Sequence, residues 1–279
     1  MRHIRCFLLL LFLLPLLQGY SRSIVFPDGS KPAGMANAFV SQYHVFSVFQ
    51  NQAGLAALDR SSISVFYENR YLIPQLSNKA AVMVLATQGG NFALQLNSFG
   101  PPQWAESNIG LAYSRFLNDR LSLGIQLNYF GTRLAETNTL LMSAGFETGA
   151  IYRVSENTFI GLHIANPYTP PINTTVYKDQ IPWRVKFGGH THFADDFIFS
   201  YELEKLKGLN TILKAGAEWE VADSFFVRGG MSTPYNAELP MRFYAGLGFE
   251  TGFFTFDTSF AYHNALGYVP SVSLIFSFF

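Results

Sequence analysis

From Asp119 to Phe130 the chain reads DRLSLGIQLNYF, with Leu121, Leu123, Ile125, Leu127 and Tyr129 on odd positions and Ser122, Gly124, Gln126 and Asn128 on even ones. Period-two alternation places apolar side chains on one face of a strand and small or polar ones on the other. One copy fits a soluble sandwich as well as a membrane strand. Here the pattern recurs to the C-terminus, predicting strands near 61–70, 79–88, 91–99, 105–116, 119–131, 139–154, 157–165, 182–193, 196–205, 210–221, 224–232, 240–250, 252–263 and 268–279. These fourteen strands predict an all-β fold, a transmembrane antiparallel β-barrel with lipid outside and a polar lumen.

The connections alternate in the same sense. Every second one is tight, at Gly89-Gly90, Leu117-Asn118, Ser155-Glu156, Ala194-Asp195, Ala222-Asp223 and Thr251. The others are mostly longer and carry Pro, Asn and Gly, the longest from Asn166 to Ile181 with an Asn173-Thr174-Thr175 sequon to which no weight attaches. Short periplasmic turns opposite longer external loops are the asymmetry of bacterial outer-membrane barrels, and an even strand count sets both ends of the barrel on the periplasmic side. The last strand ends VSLIFSFF, with Val272, Leu274, Phe276 and Phe278 on the lipid face and Ser271, Ser273 and Ser277 opposite. Phe276, Phe278 and Phe279 are the candidate signal for the barrel-assembly machinery, with Phe278 rather than Phe279 toward lipid.

Alternation also assigns the lumen. In the third to fifth strands the inward residues are Asn91, Gln95, Asn97, Ser114, Ser122, Gln126 and Asn128; from 182 onward they become ionic, with Arg184, Lys186, His190, Glu202, Glu204, Lys214, Glu218, Glu220, Arg228, Arg242, Asp257 and His263. A charge on the lipid face near the midplane costs about 2–4 kcal/mol, so these belong inside. A turn near Ala194 sets Lys186 opposite Glu202 and Arg184 opposite Glu204; one near Asp223 sets Glu218 opposite Arg228. Such pairs stabilise a sheet by about 0.2–1 kcal/mol each, and read as a charge network bracing the lumen. The competing reading is a polar site for a charged ligand group.

The N-terminus and composition narrow the class. Residues 1–19 read as a secretory signal, with basic Arg2, His3 and Arg5, an apolar core from Phe7 to Leu17 and cleavage near Leu17-Gln18-Gly19. The only cysteine, Cys6, falls within it, so neither a disulfide framework nor thiol chemistry is available to the mature chain. Charged residues make up 14% of the chain and aromatics 16%, which argues against disorder and fits membrane-interface girdles, while zero formal net charge gives no case for binding nucleic acid. Nucleophile-elbow, Walker and HExxH patterns are absent. His190 and His192 share a strand face, half a metal site without a third ligand. No catalytic residue, metal ligand or cofactor is assigned, and the chain reads as a non-enzyme.

Between signal and barrel, residues 20–60 do not alternate. Ala33 to Leu58 mixes Ala and Met with aromatic and β-branched residues, which permits short helices, and it could fold into the barrel mouth as a hatch before the barrel proper at 61–279. Within it, Gly34-Met35-Ala36-Asn37-Ala38-Phe39-Val40 and Asn51-Gln52-Ala53-Gly54-Leu55-Ala56 resemble the N-terminal signature of the PorV/PorQ and FadL-like outer-membrane barrels, with Gln52 where that family usually has proline. The resemblance implies a FadL-like barrel in the outer membrane of a Gram-negative bacterium, Bacteroidota-like, contacting outer-membrane lipid. It makes Gly34, Met35, Ala38, Asn51, Gly54 and Leu55 the hatch motif. Two functions follow from it. As a PorV/PorQ-type component, the chain would serve type IX protein secretion with secretion-system or surface-assembly proteins as partners; as a FadL-like transporter, it would carry a hydrophobic small molecule across the outer membrane. The short external loops favour the first. A continuous apolar pocket behind residues 34–58, with a break in an early strand wall, would favour the second.

Overall fold

The computed structural model describes residues 28–279 apart from 135–138, 169–170, 174–177, 236–240, 265 and 279. The expected signal at 1–19, Thr174 and Thr175 of the sequon, and Phe279 of the assembly signal lie outside the described residues. Sixteen strands follow in order: β1 Ser61–Asn69, β2 Ser77–Leu85, β3 Asn91–Phe99, β4 Trp104–Asn118, β5 Leu121–Leu134, β6 Thr139–Arg153, β7 Thr158–Ala165, β8 Pro171–Asn173, β9 Lys178–Gln180, β10 Arg184–Ala194, β11 Phe197–Leu206, β12 Ile212–Ala222, β13 Phe225–Pro234, β14 Arg242–Glu250, β15 Phe254–His263 and β16 Gly267–Phe278. All except β8 and β9 form one closed antiparallel barrel of fourteen strands. β1 meets β16 in continuous register from Ser61↔Phe278 to Glu68↔Ser271. Closure leaves no unpaired strand edge, the condition for placing backbone amides in hydrocarbon.

Alternation is carried into burial around the wall. On β5, Leu123, Ile125, Leu127 and Tyr129 are exposed to the outside, and Ser122, Gln126, Asn128 and Phe130 are buried inside. The longest connection is not wholly irregular, because β8 and β9 pair there as a small separate hairpin.

Three of the tight turns differ from the sequence reading. The turn placed at Leu117-Asn118 sits on Asp119-Arg120, where the Asn118 Oδ1 accepts the N–H of Arg120 at 2.9 Å and of Leu121 at 3.0 Å. The other two sit on Asp195-Asp196 and Asp223-Ser224, closed by Ala194↔Phe197 and Ala222↔Phe225. In each case the register shifts by one residue just before the turn, so Leu117, Phe193 and Val221 are bulged out. All three bulged residues are exposed and apolar. The β10–β11 pairing is centred on Asp195 rather than Ala194. Lys186 lies opposite Glu204 rather than Glu202, and Arg184 opposite Leu206 rather than Glu204. The β12–β13 register does set Glu218 opposite Arg228.

Candidate functional site

Residues 28–58 lie against the inward face of the barrel and are largely buried. Two short helices, α1 (Ser30–Gly34) and α2 (Ser47–Gln50), and a 3-10 turn (Gln52–Leu55) are joined by irregular backbone. In such short elements backbone N–H and C=O groups stay unsatisfied, so the wall must supply partners.

Glu202 on β11 does this most completely. Its Oε2 accepts the N–H of Phe39 at 3.0 Å and of Val40 at 2.9 Å, while Oε1 accepts from Lys214 Nζ at 2.8 Å. Lys214 also donates to the carbonyl of Asn37 at 3.3 Å and contacts Glu204. Lys186 donates to Gln50 Oε1. Glu218 accepts from Lys31 at 2.8 Å and from Arg228 Nε at 2.5 Å, and Arg228 reaches Asp257 at 2.6 Å. The lumen charges therefore tie the segment to the wall as well as strand to strand. Arg184 is buried on β10, whereas Arg242 stands exposed at the long-loop end. There it borders a cavity of about 150 Å³ with Asn37, Glu68, Arg70, Tyr71 and Tyr244.

The residues of the two sequence motifs in this segment occupy distinct seats. Asn51 Nδ2 donates to the carbonyl of Val40 at 2.6 Å and of Ala150 at 3.1 Å, and its Oδ1 accepts from Ala53 N–H at 3.1 Å, capping the 3-10 turn. Gln52, where the PorV/PorQ and FadL-like signature it resembles usually has proline, donates to Glu147 Oε2 at 3.0 Å and to the Val48 carbonyl at 3.1 Å. A side-chain tether thus stands where a rigid ring would. Met35, Ala38 and Leu55 are buried, and Gly54 lies so close to the Gln42 carbonyl that a β-carbon there would be 2.2 Å from it. Gly34 lies with its Cα against Gly246, 3.1 Å from where that residue's β-carbon would stand.

Sequence reasoning missed two features. The first is a node on Glu147, which accepts from Asn128 Nδ2 at 2.9 Å and Gln52 and lies 2.9 Å from His163 Nε2. Alternation alone would have turned Glu147 and His163 inward. The second is a set of inward glycines that admit the segment's backbone. A β-carbon at Gly161 would stand 2.3 Å from the Val40 carbonyl oxygen, and one at Gly216 would stand 2.4 Å from that of Met35.

The lumen has two chemically different halves. Val45, Phe46, Val48, Phe49 and Leu55 of the segment pack against Phe66, Ala80, Val82, Val84, Ala93, Ala112 and Ile275 on β1–β4 and β16. The signal was legible in the run Ala80-Ala81-Val82-Met83-Val84-Leu85, which is apolar on both faces. The ladders joining β1, β2, β3 and β4 are continuous, without a break in that wall. On the polar side, Ser41 Oγ and His190 Nδ1 are 2.9 Å apart, and His190 stacks on Phe159. No group of three metal-ligating side chains converges among the described residues. Burial, followed by the nearby Lys31 and Arg228, holds the His44 imidazole well below its ordinary pKa against the opposing pull of Glu218. Burial raises the Tyr43 phenol against its contact with Ser122 and the charge of Arg153.

No protein-family model matches the chain, and no curated protein matches it. Solved structures do. The toluene transporter TbuX of Ralstonia pickettii matches with a TM-score of 0.68 at 10% identity, over 89% of this chain and 97% of that one. The toluene transporter TodX of Pseudomonas putida gives 0.69 at 9% identity, over 92% of this chain and 99% of that one. A Pseudomonas aeruginosa FadL homologue gives 0.61 at 15% identity, over 92% and 99%. At these identities the likeness shows the fold alone, a closed fourteen-stranded antiparallel β-barrel of the kind these proteins have.

Proposed function

We propose that this barrel conducts small hydrophobic molecules across the outer membrane, with residues 28–58 as the hatch that opens and closes the path. The observation that carries this reading is the apolar inner wall of β1–β4 and β16, covered by Val45, Phe46, Val48, Phe49 and Leu55. A water-filled diffusion pore has no use for such a surface. Burying each of those aliphatic or aromatic side chains stabilises the seated segment by about 1.5–3 kcal/mol relative to an aqueous lumen. When the segment withdraws, an apolar ligand can take over the same contacts. The fold shared with hydrocarbon transporters supports the reading. Uptake of radiolabelled toluene and of a long-chain fatty acid into vesicles reconstituted with the protein tests it. Uptake of either above protein-free vesicles is expected; none for both sinks the proposal.

One observation favours a second reading. The lumen is occupied, and the β1–β4 wall carries no side opening. Together with the Gly34–Val40 and Asn51–Ala56 signature, this suits a PorV/PorQ-type partner in type IX secretion or cell-surface assembly. Gentle extraction from native membranes separates the two: stoichiometric secretion proteins with no retained small molecule would favour the partner role.

A further inference from the structure

The apolar wall is also free of inward-facing cations, and it carries neutral polar groups that nothing in the described structure satisfies. No Lys or Arg has an inward position on β1, β2, β3, β4 or β16. The acids facing inward there are Glu68, held by Arg70 at 2.6 Å, and Glu106. Across the barrel the cations are engaged: Lys31 and Arg228 by Glu218, Lys186 by Gln50, and Lys214 by Glu202 and Glu204.

Among the described residues, Ser62 Oγ, Ser64 Oγ, both amide atoms of Asn78, Gln95 Oε1 and Asn108 Oδ1 are buried without a hydrogen-bond partner. Register places three of them beside residues of the apolar wall. Ser64 stands between Val82 and Ile275, Ser62 beside Val84, and Gln95 beside Val82. Asn78 stands between Glu68 and Phe99. Buried hydroxyls and amides without partners are destabilising, and a bound group that satisfies them relieves that cost. A carboxylate ligand would instead meet Glu68 and Glu106, while Arg70, just beyond β1, is already held by Glu68; an ammonium would find both acids engaged.

Resting on the channel reading above, we infer that the ligand seated on this wall is an uncharged molecule with an apolar body and a hydroxyl or carbonyl group, neither a carboxylate nor a plain hydrocarbon. The apolar body replaces the segment's phenyl and aliphatic contacts. The oxygen meets the Ser64 hydroxyl or the Asn78 amide.

Four compounds on one carbon skeleton test this: ethylbenzene, 2-phenylethanol, phenylacetate and 2-phenylethylammonium, titrated calorimetrically into the full-length protein in detergent. The expected result is 2-phenylethanol bound at least about tenfold more tightly than either charged analogue, and no more weakly than ethylbenzene despite its smaller hydrophobic drive. Asn78→Leu, with Ser64→Ala as a milder second variant, should lower the preference for the alcohol over ethylbenzene by up to about tenfold. Either charged analogue binding as tightly as the alcohol overturns the inference, as does ethylbenzene bound more tightly than the alcohol. So does an unchanged preference in a correctly assembled variant. Should neither variant assemble, the wild-type comparison decides alone. Ethylbenzene bound more tightly than the alcohol leaves the channel reading standing, whereas binding of none of the four, with no toluene uptake, removes both.

Discussion

At the scale of single residues, one carboxylate does more than alternation can show. Turning Glu202 inward required only its place on β11, but its two bonds to the N–H groups of Phe39 and Val40 join residues 163 and 162 positions apart. No local pattern encodes that separation. Glu202→Gln removes the charge that Lys214 and both amides use, and losing one partner of a buried ionic cluster costs about 3 kcal/mol. The Phe39 and Val40 amides should then exchange with deuterium roughly a hundredfold faster, while the barrel keeps its heat-modifiable gel mobility. Unchanged exchange would show that the carboxylate does not hold the segment. His44 adds a pH dependence with a definite sign. Its pKa is lowered in the seated segment, so protons bind preferentially to the displaced one. Its contribution is therefore complete above the ordinary histidine pKa of about 6.5 and falls below it, by up to about 1.4 kcal/mol per pH unit. Once the intrinsic slowing of amide exchange at lower pH is divided out, the protection of residues 39–49 should be smaller at pH 5.5 than at pH 7.5, with a lesser loss in His44→Gln; an equal loss in both assigns the effect to other groups.

Among the elements, the strands were legible and their joints were not. Period two is a property of each strand alone, so the fourteen barrel strands could be placed from sequence to within a few residues. Register depends on where a turn closes, and the bulges at Leu117, Phe193 and Val221 each insert a residue that composition does not mark. Lys186 faces Glu204 instead of Glu202 because the β10–β11 pairing is centred on Asp195 rather than Ala194, whereas the β12–β13 pairing, with the same kind of bulge, is centred on Asp223 as the sequence suggests. The inner segment was harder still, because its helices are one turn long and its backbone is satisfied by other elements. The inward glycines record this fit. Gly161→Ala puts a β-carbon where the Val40 carbonyl oxygen lies, so the segment must shift and vesicles should leak small solutes faster. Gly229→Ala is the matched control, since a β-carbon there meets nothing within 4 Å. Equal leakage from both variants would mean that the close approach at β7 does not seat the segment.

For the whole molecule, the question is whether passage requires the segment to leave its seat. The barrel closes through β1 and β16 without help from residues 28–58, so the wall and its occupant can in principle move independently. Against motion stand the ionic ties on the β10–β13 side and the apolar contacts on the β1–β4 side. A covalent lock separates the possibilities. The hydroxyl oxygens of Ser30 and Ser271 lie 2.9 Å apart, which brings their β-carbons within reach of a disulfide, and the only natural cysteine, Cys6, precedes the segment in the expected signal. In Ser30→Cys/Ser271→Cys, oxidation should reduce toluene uptake to the level of protein-free vesicles, and reduction should restore it. Full uptake by the fully oxidised protein would mean that α1 stays in place during passage. The path would then have to run between the segment and the polar wall, where Gln52, Glu147 and His163 stand, rather than along the apolar face that the segment covers.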